Sequence, residues 1–384
     1  MYIYFFNNLK LYLVIILYFK EFKLKFAHFS HVWSKPNISP SERYNQLWRE
    51  IALCDELNFD YAFCVEHHFR PDESLMSAPS LFATGAGLKT KRLRVGPMGY
   101  IVPLYNPLRL VEEIAIIDQM LEGRLELGLV PGVNPLYFEP FGIKYNERKL
   151  PTIEFVNYLK TAFSSKDKFN FIGKNFITKN AKLSVKPNQF PHPPLWIQSR
   201  DSKTLDFCAK NRINTGYFLV YPRELAYIKY KKYLSQWVSY GWKEKPNIAY
   251  STVVYVDETD EKAIDKALIR ASKAYEGVLE PPETGSFEER VSRFEKRVNA
   301  TKDTKTAKLM KNMFNPNYII ENDLMFIGSP ETVTRKLKDS SRSGHFNTFF
   351  GEFNFSDLPE EDLMRSIKLF GEYVIPELSK FEPF

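Results

Sequence analysis

From residue 24 onward, short apolar runs alternate with segments of helical period, the pattern of repeated βα units. Leu24–Ser30 predicts a first strand. Ser39-Pro40 then opens a helix to about Leu57, with Tyr44, Leu47, Trp48, Ile51 and Cys54 on one stripe. Tyr61–Val65 predicts a second strand, which runs into Glu66-His67-His68. A helix near Pro79–Leu88 leads to a third strand over Leu93–Val102, which contains Gly96, Pro97 and Gly99. Pro107 starts the next helix, Gly123 stops it, and Arg124–Val130 predicts strand four.

Residues 131–193 are too many for a plain loop. They hold one amphipathic helix, about 148–164, and a Phe/Ile-rich segment that turns at Gly173-Lys174-Asn175, predicting an inserted hairpin. LWIQS (195–199) predicts strand five and Ser202–Lys210 a helix. Thr215–Val220 follows as strand six, 223–241 as a helix, and Ile248–Val256 as strand seven. A charged helical excursion occupies about 258–325. A helix capped by Ser329 starts at Pro330, and Asn347–Phe353 predicts strand eight. Eight strands separated by helices predict one (β/α)8 TIM barrel over residues 23–384, with insertions after strands four and seven. An open doubly wound sheet is the second option, but no GxGxxG follows any strand.

The first 22 residues stand apart. Their apolar run, Leu11–Phe19, is far shorter than the roughly 20 residues a bilayer span needs. No small-x-small cleavage site follows it. A signal, an anchor and a non-native extension stay open, and the extension fits best. Over all 384 residues, the 44% hydrophobic and 26% charged composition is that of a globular chain. The charge of +7 is spread without a run of like charges, so we expect no nucleic-acid partner. Cys54, Cys64 and Cys208 form no CxxC and are widely spaced, which suits a reducing, cytoplasmic compartment.

Barrel enzymes carry their chemistry at the C-terminal strand ends, and three stretches fall there. Glu66-His67-His68 ends strand two. Neighbours on an extended segment point opposite ways, and no third ligand is evident, so we expect no metal. His67 suits acid–base catalysis, and His68 suits either that or a hydrogen-bonded structural role. Gly96-Pro97-Met98-Gly99-Tyr100 ends strand three with little bulk, as the close approach of a flat ligand or of a packed helix requires. Arg200-Asp201-Ser202-Lys203-Thr204 joins strand five to a helix; it suits either an anion such as phosphate or a capped helix with solvated charges.

Together these stretches belong to a longer pattern. EHHF at Glu66–Phe69 is followed by RLRVGPMGYIVPLYNPLRLVEEIAIIDQMLEGRLELGLVPG at 92–132. NPLYFEPFGI (134–143), LSVKPNQFPHPPLWIQS (183–199), FIGSPETV (326–333) and LFGEYVIPEL (369–378) come after it. In order and spacing these segments resemble the luciferase-like flavin monooxygenase family. That resemblance implies the (β/α)8 barrel and a reduced FMN cofactor, with the deazaflavin F420 as the alternative. It implies a monooxygenase in which O2 adds to the flavin at C4a and the peroxide oxidises a small organic substrate.

The family's catalytic histidine falls on His67, and its non-proline cis peptide falls on Met98-Gly99. Its phosphate-binding hydroxyls fall near Ser202 and Thr204, and a phosphate arginine falls on Arg148. One departure stands out. Relatives carry Gly-Arg-Gly after strand four, where this chain reads Val130-Pro131-Gly132, so Arg200 or Lys203 is expected to replace the cation. The resemblance further implies a homodimer and a separate NAD(P)H:flavin reductase as partner. Two other functions remain open: an F420-dependent oxidoreductase, and a non-catalytic flavin-binding subunit. The excursion after strand seven is expected to act as a lid over the barrel mouth.

Overall fold

The computed structural model describes residues 23–279, 286–300, 303–312 and 315–384. The apolar stretch 1–22 and parts of the 258–325 excursion lie outside them. The chain divides into two compact units: His28–Ile197, and Gln198–Phe384 with the described residues up to Ala27. No helix among the described residues is long and apolar enough to cross a membrane.

The first strand, β1 (Lys25–Ser30), is buried at every position after its first residue, and its residues are shared between the units. In the His28–Ile197 unit, helix α1 (Pro40–Glu56) begins where Ser39 accepts the Glu42 amide and Pro40 supplies a preset φ. It leads to β2 (Tyr61–Cys64), α2 (Pro79–Lys89), β3 (Arg94–Pro97) and β4 (Tyr100–Ile101). Asn106 caps α3 (Pro107–Met120) by accepting the amides of Leu108 and Arg109. Then come β5 (Leu127–Val130), three short 3-10 turns and α4 (Lys149–Ser164). The predicted hairpin is present as antiparallel β6 (Phe169–Ile172) and β7 (Ile177–Ala181), before β8 (Leu195–Trp196) closes the unit. β2 runs parallel to β3, β4 to β5, and β5 to β8.

Three expectations need correction here. The third strand breaks at Met98-Gly99 into β3 and β4, the fourth begins at Leu127, and the fifth is only two residues long.

The second unit contains α5 (Ser202–Lys210), β9 (Thr215–Phe218), α6 (Arg223–Ser239) and β10 (Ile248–Val256). Helices α7 (Asp260–Leu279), α8 (Phe287–Asn299), α9 (Thr304–Asn312) and α10 (Pro316–Glu321) make the described part of the excursion helical, as its composition predicts. β11 (Phe326–Gly328) follows; no strand was expected there, because three residues carry too short a pattern. α11 (Pro330–Gly344), β12 (Thr348–Glu352), α12 (Glu360–Leu369) and α13 (Ile375–Leu378) complete the chain. β10 is buried at all nine positions. It pairs in parallel with β9 near its start, with β12 through its middle and with β11 at its end. Its run of apolar, largely β-branched and aromatic residues, interrupted only by the buried Ser251 and Thr252, made its limits legible.

Helix α1 also buries charge. Arg43 Nη1 donates to Glu50 Oε1 at 2.9 Å, Arg43 Nε donates to the Trp33 carbonyl at 3.0 Å, and His28 Nε2 lies 3.1 Å from Glu50 Oε2. Burial by itself raises the Glu50 pKa, but Arg43 and His28 more than offset it and hold the carboxyl at about 2. Because the folded pKa is depressed, this stability is present above the unfolded value near 4.5 and is lost as pH falls toward 2. Glu50→Gln should cost about 3–5 kcal/mol at pH 7 by leaving Arg43 unpaired. Urea melts from pH 7 down to 3 should show the wild-type advantage shrinking below about pH 4.5; a pH-independent difference would assign Glu50 no linked protonation.

Candidate active site at the strand ends

Adjacent parallel strands in the His28–Ile197 unit deliver their C-terminal ends together. Cys64 of β2 is in register with Pro97 of β3, and Val130 of β5 is in register with Ile101 of β4. His67 and His68 therefore leave β2 beside Met98-Gly99, while Pro131-Gly132 leaves β5 beside β4. The Met98–Gly99 peptide is cis, and the Met98 amide donates to the Cys64 carbonyl at 2.7 Å.

The glycines here serve the neighbouring strand, not a packed helix. A Cβ on Gly99 would fall 2.2 Å from the Gly128 carbonyl carbon, and one on Gly128 would fall 2.5 Å from the Pro97 oxygen. A Cβ on Gly96 would meet the Glu126 oxygen at 1.9 Å. Backbone meets backbone where β3 passes into β4 alongside β5, and only hydrogen side chains permit it.

The two histidines take different carboxylates, as their alternation requires. His68 Nε2 lies 2.9 Å from Glu66 Oε1. Glu66 is almost fully buried, and it also accepts the Ile101 amide at 2.7 Å and the Tyr105 hydroxyl at 2.9 Å. His68 thus belongs to a network that ties β2 to β4, which supports its structural role. It also faces a cavity of about 580 Å³, shared with Glu66, Ser80, Tyr105, Arg109 and Phe141.

His67 turns the other way. Its Nδ1 lies 2.6 Å from Glu73 Oε1, and Glu73 in turn takes Arg70 Nη1. The His31 ring stands edge-on to His67 with centroids 5.3 Å apart, and Tyr137 covers both His67 and His68 at 5.7 and 5.8 Å. Burial lowers the His67 pKa against the opposing pull of Glu73. Burial also works to raise Glu73, yet His67, His31 and Arg70 hold it below its ordinary value. Burial thus favours the uncharged form of His67, and the Glu73 carboxylate stands on its Nδ1 side, away from Nε2.

Arg148 reaches the end of β5. Its Nε donates to the Gly132 carbonyl at 3.0 Å and its Nη1 to the Tyr145 carbonyl at 2.8 Å, with the guanidinium 3.6 Å from the Tyr145 ring centre. A cation therefore stands beside the Pro131-Gly132 turn that lacks one in sequence. In the second unit, Ser202, Lys203 and Thr204 form the first turn of α5. Asp201 caps that helix, accepting the Thr204 amide at 2.8 Å and the Thr204 hydroxyl at 3.0 Å. Asp201 thus caps the helix, and its carboxylate stands at the turn that the phosphate expectation invoked. Arg200 packs over the Tyr221 ring at 5.1 Å, and both Arg200 and Lys203 are exposed.

Sequence reasoning missed His31, Glu73 and Tyr137. His31 was within reach, because it directly follows the first strand. Glu73 and Tyr137 lie in loops whose return to the strand ends has no local signal. Two residues beyond β8, both amide atoms of Gln198 are buried without a hydrogen-bond partner among the described residues. Such orphaned groups fit a polar ligand.

Parallel strands thus bring a buried carboxylate–histidine pair and small residues to one end of an α/β unit, with an arginine nearby. Residues 24–346 match the luciferase-like monooxygenase profile, and the chain belongs to that family. The chain spans about half the length of several curated relatives that it matches. It is 26% identical over 62% of its length to the oxygenase component of flavin-dependent trigonelline monooxygenase from Acinetobacter baylyi, of which it covers 67%. In fold it is similar to the oxygenating constituent of 3,6-diketocamphane monooxygenase of Pseudomonas putida in complex with FMN (TM-score 0.72, 19% identity, 92% of this chain and 99% of that one). It is also similar to an F420-dependent secondary alcohol dehydrogenase in complex with an F420-acetone adduct (TM-score 0.67, 18% identity, 93% and 99% coverage).

Gly99→Ala should lower stability by at least about 1–3 kcal/mol, because the clash is with backbone that cannot rotate away. Gly142→Ala, with nothing within 4 Å of the added carbon, meets only the backbone cost of φ +69°. Paired urea melts test this; a Gly99→Ala variant as stable as wild type would show that the close approach relaxes.

Proposed function

We propose that the chain is the oxygenase of a two-component system, using reduced FMN and O2 to oxidise a small organic substrate. A separate NAD(P)H:flavin reductase supplies the reduced flavin, and the oxygenase works as a homodimer. The observation that carries this reading is the Glu73-oriented His67, its uncharged form favoured by burial, at the end of β2 beside the Met98-Gly99 turn. The residues of the His28–Ile197 unit fit a flavin: a backbone-lined turn suits a flat ring, and Arg148 offers a cation. When bound, reduced flavin supplies the electrons and activates oxygen.

The protein's share is orientation and proton control. Glu73 holds His67 Nδ1, so Nε2 is the atom that takes a proton from the reacting group and returns it. Tyr137 shields that ring from water, and Glu66 locks the β2–β4 corner that sets its direction. Arg148 anchors the phosphate in place of the cation missing at Pro131. The Asp201 carboxylate disfavours the alternative anchor at Arg200, Ser202, Lys203 and Thr204.

The F420-dependent reading is kept because Val130-Pro131-Gly132 departs from the FMN-phosphate pattern. His67→Ala should retain fold and flavin and lose turnover by about 10²–10⁴, with His68→Ala losing less. Equal losses would remove His67 from its role. Arg148→Ala should weaken FMN roughly 10- to 100-fold, as loss of a charge-assisted hydrogen bond does. Riboflavin, which has no phosphate, should bind that variant and wild type alike. If Arg200→Ala or Lys203→Ala weakens FMN instead, the phosphate lies at the α5 turn.

A further inference from the structure

His31, His67 and Glu73 come from three separate stretches of chain, yet each presents a ligand atom within 4.8 Å of the other two. We propose that these three side chains bind one divalent transition-metal ion of borderline softness, such as Zn2+, and that its occupation blocks His67. The inhibition rests on the catalytic role assigned to His67; the binding does not.

Two imidazoles and one carboxylate form the ligand set of three-coordinate zinc sites that leave a further position open. Atoms no more than 4.8 Å apart share a centre within about 2.8 Å of each, against roughly 2.0–2.2 Å for zinc bonds to nitrogen and oxygen. Side-chain shifts below about 1 Å therefore complete the geometry.

Surrounding groups already constrain the three. Arg70 Nη1 holds the Oε2 side of Glu73, and His67 stands on the Oε1 side. Trp33 lies against the His31 ring at 5.2 Å and Tyr137 against His67 at 5.7 Å, which restricts both imidazoles. Second partners of this kind orient metal ligands. The Arg70 charge opposes a cation, though Asp72 Oδ2, 3.1 Å from Arg70 Nη2, balances part of it. Micromolar affinity follows more naturally than the far tighter binding of structural zinc.

The test uses the full-length protein, stripped with a chelator and titrated with Co2+, whose visible absorption reports imidazole ligation. One saturable equivalent is expected, displaced by Zn2+, with affinity at least tenfold weaker in His31→Asn and in Glu73→Gln. His192→Ala, outside the cluster, should leave the titration unchanged. Because Glu73→Gln also alters the contact with Arg70, His31→Asn is the deciding variant, with circular dichroism confirming its fold. A wild type without a saturable band, or a band undiminished in His31→Asn, overturns the metal site. If the ion binds as described but turnover is unaffected, the site stands and the role of His67 falls.

Discussion

The end of β2 is fixed by a single buried carboxylate. Glu66 accepts the Ile101 amide and the Tyr105 hydroxyl and lies against His68. A carboxylate in so dry a place is tolerable only because donors surround it. Those donors come from β4 and from the turn after it, so satisfying Glu66 locks two strand ends together. Once Glu66 and His68 are committed to that side, the period of two sends His67 to the other, toward Glu73 and His31. The direction of the candidate catalytic ring is thus a consequence of where a neighbouring charge must be satisfied.

Close packing of the backbone is the second constraint. Gly96, Gly99 and Gly128 let β3, β4 and β5 approach more closely than side chains allow. Loops then fill in around the strand ends. Tyr137 roofs the histidines, and Arg148 is latched to the Gly132 carbonyl, returning positive charge to a turn whose own sequence has none.

Much of this was legible in the sequence, and what was not has a physical reason. β10 and α5 were read to the residue, because one is a run rich in β-branched and aromatic residues, bounded by polar ones, and the other has a clear polar start and apolar stripe. The hairpin announced itself through Gly173-Lys174-Asn175. The break in the third strand was hidden, since it depends on Gly128, a residue of another strand. Opposite directions for His67 and His68 followed from alternation, but their partners did not. His31 lies 36 positions before His67, and Glu73 sits in an irregular loop. The candidate groups at Arg200–Thr204 had two readings, and the Asp201 cap is the one that a hydrogen bond makes visible. Arg148 entered only through the family resemblance, and in the fold it bonds the Gly132 carbonyl.

The chain belongs to the luciferase-like monooxygenase family, and the two-electron chemistry separates the proposed oxygen activation on FMN from hydride transfer with F420. Reoxidation of reduced FMN by O2 in the presence of the protein, followed by stopped-flow absorbance, tests that division most directly. The account predicts that bound flavin reoxidises in two resolved phases and that the second is altered in His67→Ala. Reoxidation indistinguishable from that of free FMN, with F420 saturating the protein at micromolar concentration instead, would contradict it.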